Sequence, residues 1–364
     1  MCKNFISVML LGAVVVFSLA SCDKSDGEPI PPGGEIPTVS HGVYVLNQGN
    51  LEAGVEGSFN IINYDSDETL LNVFSEVNRR SIGDTPQCGI AYGSKIYIGV
   101  FESKTIEIID RKDYKSIKQL ALSEATSTGT QPRSMLAKGG KIYISMFDGY
   151  VARLDTTTLT IDASVKTGPN PETMALCRGK IYVPNSDGMN WPTYGKTASV
   201  IDPESFTVTK TFEVPENPSH FYANENGLFL LCMGNYNDVE AKIYKLNDNL
   251  ECTAIDNATV AELCDDFIYY VNDPFYGTGH ADYKKFNIKT GEISDWEIEK
   301  PEYAENIYYD SVAKKILISS LRYYGGIWPS YQLPGYVAVY DKEGNHLRNY
   351  QTGVGPAAIF KNAE

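Results

Sequence analysis

The side chains best suited to bind something are nine aromatics: Trp191, Tyr194, Tyr236, Phe275, Tyr276, Tyr323, Tyr324, Trp328 and Tyr331. They fall among Gly, Asn and Pro in irregular stretches of the chain, and two of its three tryptophans are among them. Rigid rings give contact area at low entropic cost, so aromatics beside amide groups suit a broad, partly apolar ligand. The competing reading is that long loops pack on one another through these rings.

A second set recurs at one place in a repeating pattern, just after a Pro or its equivalent. It comprises Gln87, Arg133, Glu172, Ser219, Thr259, Glu305 and Ala357, with His220 and Asn306 one step on. Such residues could hydrogen-bond a ligand's amides, and they could equally line a hydrated channel. Arg133 with Glu172 and Glu305 also reads as a compensated charge cluster.

Signals for bond-making chemistry are weak. The four histidines, His41, His220, His280 and His346, fall in separate repeats without metal-ligand spacing. Asp65-Ser66-Asp67 and Asp265-Asp266 read as turn and cap residues. No Gly-x-Ser-x-Gly elbow, phosphate loop or calcium loop is present. The expectation is a binding protein with no catalytic residues, no cofactor and no metal. Cys88, Cys177, Cys232, Cys252 and Cys264 lack Cys-x-x-Cys spacing and suit small apolar packing, although an oxidising compartment would allow one disulfide.

What positions these residues is a phrase written seven times between Gly42 and Phe360. Its core strand reads Val43-Tyr44-Val45, Ile96-Tyr97-Ile98, Ile142-Tyr143-Ile144, Ile181-Tyr182-Val183, Phe229-Leu230-Leu231, Ile268-Tyr269-Tyr270 and Ile316-Leu317-Ile318. A first strand and a tight turn such as Gly93-Ser94, Gly139-Gly140 or Asn226-Gly227 precede it, making a hairpin. A third strand ends at Asp65, Asp110, Asp155, Asp202, Asn247, Asn287 or Asp341, whose side chains can close a turn, and a fourth strand follows. Repeats of roughly 40 to 50 residues with four antiparallel strands predict an all-β, seven-bladed β-propeller. The first repeat lacks its first strand and the chain ends on a spare one, Gly355 to Phe360. The C-terminal strand is therefore expected to pair with the N-terminal blade and close the ring.

This places the loops after the core strand on one face with the channel mouth. They are tight in blades two and three and long in blades one and four to seven: Asn47 to Ser58, Pro184 to Thr197, Gly234 to Ala241, Asn272 to Ala281 and Leu321 to Gly335. The nine aromatics belong to these expanded loops. The opposite face carries short polar turns.

The ends read differently. Lys3 and the apolar run Phe5 to Ala20 form an export signal over residues 1–21, too short to span a bilayer. Leu19-Ala20-Ser21-Cys22 resembles the lipobox of bacterial lipoproteins, which implies lipidation at Cys22. Residues 22–40 are an acidic, then Pro/Gly-rich tether, and 41–364 form the single folded domain. The acidic start of the tether resembles Bacteroidetes surface-export signals, which implies display outside the outer membrane. A net charge of −15 argues against nucleic-acid partners.

The segment Gly42-Val43-Tyr44-Val45-Leu46-Asn47-Gln48-Gly49-Asn50, the strand Phe59 to Asp65 and the repeated Ile-Tyr-Ile and Asn-Pro phrases resemble the YVTN-type propeller lipoproteins of gut Bacteroidetes. Within that group they resemble the BtuG family. The resemblance covers nearly all of Gly42 to Phe360 and implies a surface lipoprotein that captures cobalamin, a corrinoid, and passes it to a TonB-dependent outer-membrane transporter. Asn185, Asn190, Asn235 and Asn237 would be amide partners for the corrin periphery. The alternatives are a metal-dependent hydrolase of the lactonase type, with Glu172, Glu305 and Asn306 as nearest ligands, and a propeller for protein or glycan adhesion.

Overall fold

The computed structural model describes residues 36, 39–123, 128–274, 280–325 and 328–362. Seven four-stranded antiparallel sheets form a ring. Six are sequential: blade 2 (Pro86–Ala121), blade 3 (Pro132–Lys166), blade 4 (Ala175–Glu213), blade 5 (Pro218–Asn257), blade 6 (Val260–Asp295) and blade 7 (Tyr303–Val354). Blade 1 joins Gly42–Asn47, Ser58–Asn63 and Glu68–Leu70 to the C-terminal strand Pro356–Lys361, with Tyr44 opposite Phe360. The expected closure is present.

The Ile-Tyr-Ile strands are apolar throughout because both of their faces are buried. Side chains alternate across a strand, so Ile142 and Ile144 enter the seam with blade 2, while Tyr143 enters the seam with blade 4. The same division repeats round the ring and yields seven apolar clusters, one per seam. Each fully buried Ile, Leu or Phe in them contributes about 1.5–3 kcal/mol. The third tryptophan, Trp296, belongs here: it packs 4.8 Å from Tyr269 and 6.0 Å from Tyr340 between blades 6 and 7.

The expected turn closures form as the carboxylate and amide chemistry requires. Asp155 Oδ1 accepts from the Thr157 and Thr158 N–H groups at 2.8 Å, and Asp110, Asp202, Asn247, Asn287 and Asp341 act alike. Blade 1 differs from the expectation. Its third strand stops at Asn63, which accepts from Asp65 N–H at 2.9 Å, so the turn former lies two residues earlier. Its outer strand is only Glu68–Leu70, and an unforeseen α-helix, Val73–Asn78, follows and buries Val73 and Phe74 in the first seam. Val39 is buried in that seam too.

Candidate functional site

Loops after the second strand and connections after the fourth meet on one face, as Leu122 N–H to Lys104 O and Val214 N–H to Lys196 O demonstrate at 2.9 Å each. The channel opens on this face. Its mouth is built by a β-bulge, one extra residue in the inner strand, which re-aims a side chain. The register slips between Pro86 and Cys88, Pro132 and Ser134, Pro218 and His220, Ala304 and Asn306, and opposite Asn47. The residues left over are Gln87, Arg133, Ser219, Glu305 and Ala357. Blade 4 departs further: its inner strand is reduced to Ala175–Cys177, and Thr173 bridges in parallel to His220 of blade 5. Glu172 is thereby brought beside the mouth.

The channel is a cavity of about 400 Å³ lined by Gln87, Arg133, His220, Thr259, Glu305 and Asn306, among others. Of the residues singled out by their place after Pro, Gln87, Arg133, Thr259, Glu305 and Ala357 line it, while Glu172 and Ser219 do not and instead bond Arg133 and His220. Arg133 Nε donates to Glu172 Oε2 at 2.6 Å, and Ser186 Oγ donates to Glu172 Oε1 at 3.2 Å. The Arg133 guanidinium sits 5.4 Å from the Phe147 ring centroid, and Phe147 lies 5.7 Å from Phe101. His220 Nδ1 hydrogen-bonds Ser219 Oγ at 2.8 Å, and its ring stacks on Tyr222 at 6.1 Å. Burial, helped by the Arg133 charge, pushes His220 down to about 4. Asn306 Nδ2 donates to the Ala357 carbonyl at 3.3 Å.

Further residues of the lumen were not evident from the sequence. Gln48, Tyr222, Glu262 and Tyr308 also line it. Burial pushes the Glu262 carboxyl up to about 8, against the opposing Tyr309 backbone N–H, and holds Glu305 above the ordinary carboxylate range. Phe101 and Phe147 had a signal: each directly follows the core strand, in Val100-Phe101 and Met146-Phe147, the two blades with tight loops.

In the loops of this face, Trp191, Tyr236, Tyr324, Trp328 and Tyr331 are exposed by 74, 54, 72, 62 and 47% respectively. Tyr323 is half-buried and Tyr194 is buried. The Tyr194 ring instead supports Tyr236 edge-on at 5.8 Å, tying the loops of blades 4 and 5 together. Phe275, Tyr276 and Cys22 lie outside the described residues. The blade 7 loop carries its own two-stranded ribbon, Tyr323–Tyr324 against Trp328–Pro329, which sets Tyr324 opposite Trp328. Directly opposed residues share one face of a ribbon. The base of the ribbon is fixed by Tyr323 N–H to Glu302 Oε2 at 2.8 Å and Ser330 N–H to Arg322 O at 2.7 Å. Asn50 Nδ2 donates to Tyr331 O at 2.9 Å, and Gln48 lines both the channel and a surface hollow bordered by Tyr331.

The amide groups differ from expectation. Asn185 is fully buried, with Nδ2 donating to Ser199 Oγ at 3.1 Å. Asn190 donates to Asp187, and Asn235 Oδ1 accepts three backbone N–H groups of its own loop. These amides shape loops; Asn237 remains exposed. Among the described residues the five cysteines are free thiols, and no group of three or more His, Cys, Asp or Glu side chains is placed to hold a metal ion.

No protein-family model matches the chain, and no curated protein does. Among solved structures the chain is similar to hydrazine synthase of Kuenenia stuttgartiensis, with 13% identity over 75% of this chain and 88% of that one, at a TM-score of 0.58. The computationally designed Ika8 protein is 10% identical over 76% of this chain and 95% of its own, at a TM-score of 0.49. At such identity the first likeness speaks for the propeller fold alone.

Proposed function

We propose that this propeller is a non-enzymatic outer-membrane lipoprotein, anchored through Cys22, that captures cobalamin on its loop-rich face and hands it to a TonB-dependent transporter. The observation that carries the reading is the gathering of Trp191, Tyr236, Tyr324, Trp328 and Tyr331, all exposed, on the face where the channel opens. Exposed rings grouped on one side of an acidic protein favour a flat, partly apolar ligand over a polyanion. The corrin macrocycle fits that description, and its carboxamide fringe finds Gln87, Arg133, His220 and Asn306 at the mouth.

The test is calorimetric titration with cyanocobalamin at low micromolar protein. Binding is expected, and Trp191→Ala and Trp328→Ala should each weaken it by about tenfold or more, as truncation of an aromatic anchor does. No detectable heat and no binding by a second optical method would dismiss the ligand assignment.

A further inference from the structure

The channel is built in two tiers. Above are the bulge residues; three positions further along the inner strands of blades 5, 6 and 7 stand Tyr222, Glu262 and Tyr308, which line the same cavity. Glu262 lies within electrostatic reach of both phenols, whose acidity it lowers further after burial has done most of that work. Tyr222 already donates its hydroxyl to the Ala261 carbonyl at 2.8 Å.

Among the described residues no cation pairs with Glu262. Arg133, the one cationic residue lining the lumen, is tied to Glu172. Besides the carboxyls of Glu262 and Glu305, the polar liners are uncharged hydrogen-bonding groups, among them the Gln87 and Asn306 amides, the Thr259 hydroxyl and the His220 imidazole. The small or apolar Cys88, Gly89, Ala357, Ala358 and Ile359 of blades 1 and 2 line it too. Gly89 itself admits no side chain, because a Cβ there would fall 2.6 Å from the Phe360 ring in the seam between blades 1 and 2. Such a lumen suits a slim guest that is uncharged and both gives and takes hydrogen bonds. A carboxylate or phosphate would meet Glu262 and Glu305, whereas a carboxamide presents N–H to an acceptor and C=O to a carboxylic acid O–H. At about 400 Å³ the space holds an arm and its water rather than a macrocycle.

We propose that this lower tier is a subsite for one carboxamide arm of the captured ligand, with Glu262 as its hydrogen-bonding partner. The inference rests on the corrinoid reading above. The groups facing the lumen from the other blades do not titrate between about pH 6.5 and 9.5: Cys88 is pushed up to about 12, His220 down to about 4, and Tyr222 and Tyr308 far upward. Glu305 is the one competitor, since it too is raised.

The experiment measures cyanocobalamin affinity of the full chain at about pH 6.5 and about pH 9.5. Ionising Glu262 removes the donor to the amide carbonyl, so wild-type affinity should fall about thirtyfold, the loss of the competent protonation state. Glu262→Gln, which keeps a donor and an acceptor but cannot ionise, should bind equally at both values. Glu305→Gln should keep the wild-type fall. Equal wild-type affinity at both values, or a fall that survives in Glu262→Gln or vanishes in Glu305→Gln, overturns the subsite. Absence of binding at every pH instead overturns cobalamin capture itself.

Discussion

His220 and Glu262 face one lumen with opposite consequences for stability. Burial lowers the imidazole to about 4, so its contribution is present above the ordinary histidine value and is lost as pH falls toward 4. Burial raises the carboxyl to about 8, so its contribution is present below the ordinary glutamate value and is lost as pH rises through 8. Melting temperatures recorded across this range should show a decline on each side. His220→Gln should flatten the acid side and Glu262→Gln the alkaline side, each by about 2–4 °C. An unchanged profile in either variant contradicts the assignment for that residue. The bulge residues could be read from the sequence because each follows Pro or a small residue at one repeat position. Glu262 could not. It sits inside the strand Val260–Cys264, where the pattern offers only an inward or outward face and says nothing of a desolvated neighbour.

At the scale of elements, the blade 7 loop could be recognised by its length, but its internal pairing could not. Tyr324 and Trp328 gain a common face from a ribbon whose register depends on contacts at its base, with Glu302 and Arg322. The ribbon lies outside the seven seam clusters. Replacing Tyr323–Leu333 by a short Gly-Ser turn should therefore leave the melting temperature within about 3 °C, since surface loops tolerate such changes, while abolishing ligand uptake. A large drop in melting temperature would mean that the ribbon is part of the core. The loop amides taught the reverse lesson. Asn185, Asn190 and Asn235 have the composition of a binding loop, yet Asn185 and Asn235 accept backbone N–H groups that need partners, and Asn190 pairs with the Asp187 carboxylate. The helix Val73–Asn78 escaped notice because its two buried side chains are too few to set a helical period against the surrounding strand pattern.

The whole ring was legible because a seven-fold phrase leaves one arrangement in which every strand is paired. Asn362 is buried where that ring closes. Its amide donates to the Val39 carbonyl, it accepts from the Tyr44 hydroxyl, and its backbone N–H reaches Gly42 O at 3.2 Å. Asn362→Ala strands buried donors and acceptors from both termini and should lower unfolding free energy by about 1–3 kcal/mol in denaturant titration. A neutral result would show that pairing between Gly42–Asn47 and Pro356–Lys361 closes the ring unaided.

That latch also brings the two ends of the folded chain to one spot. Gly42 and Asn362 meet on the turn face, across the disc from the aromatic loops. Whatever grips the protein there, whether a biotin tag or a sensor chip, holds the propeller like a dish on a stem, with its aromatic loops turned outward.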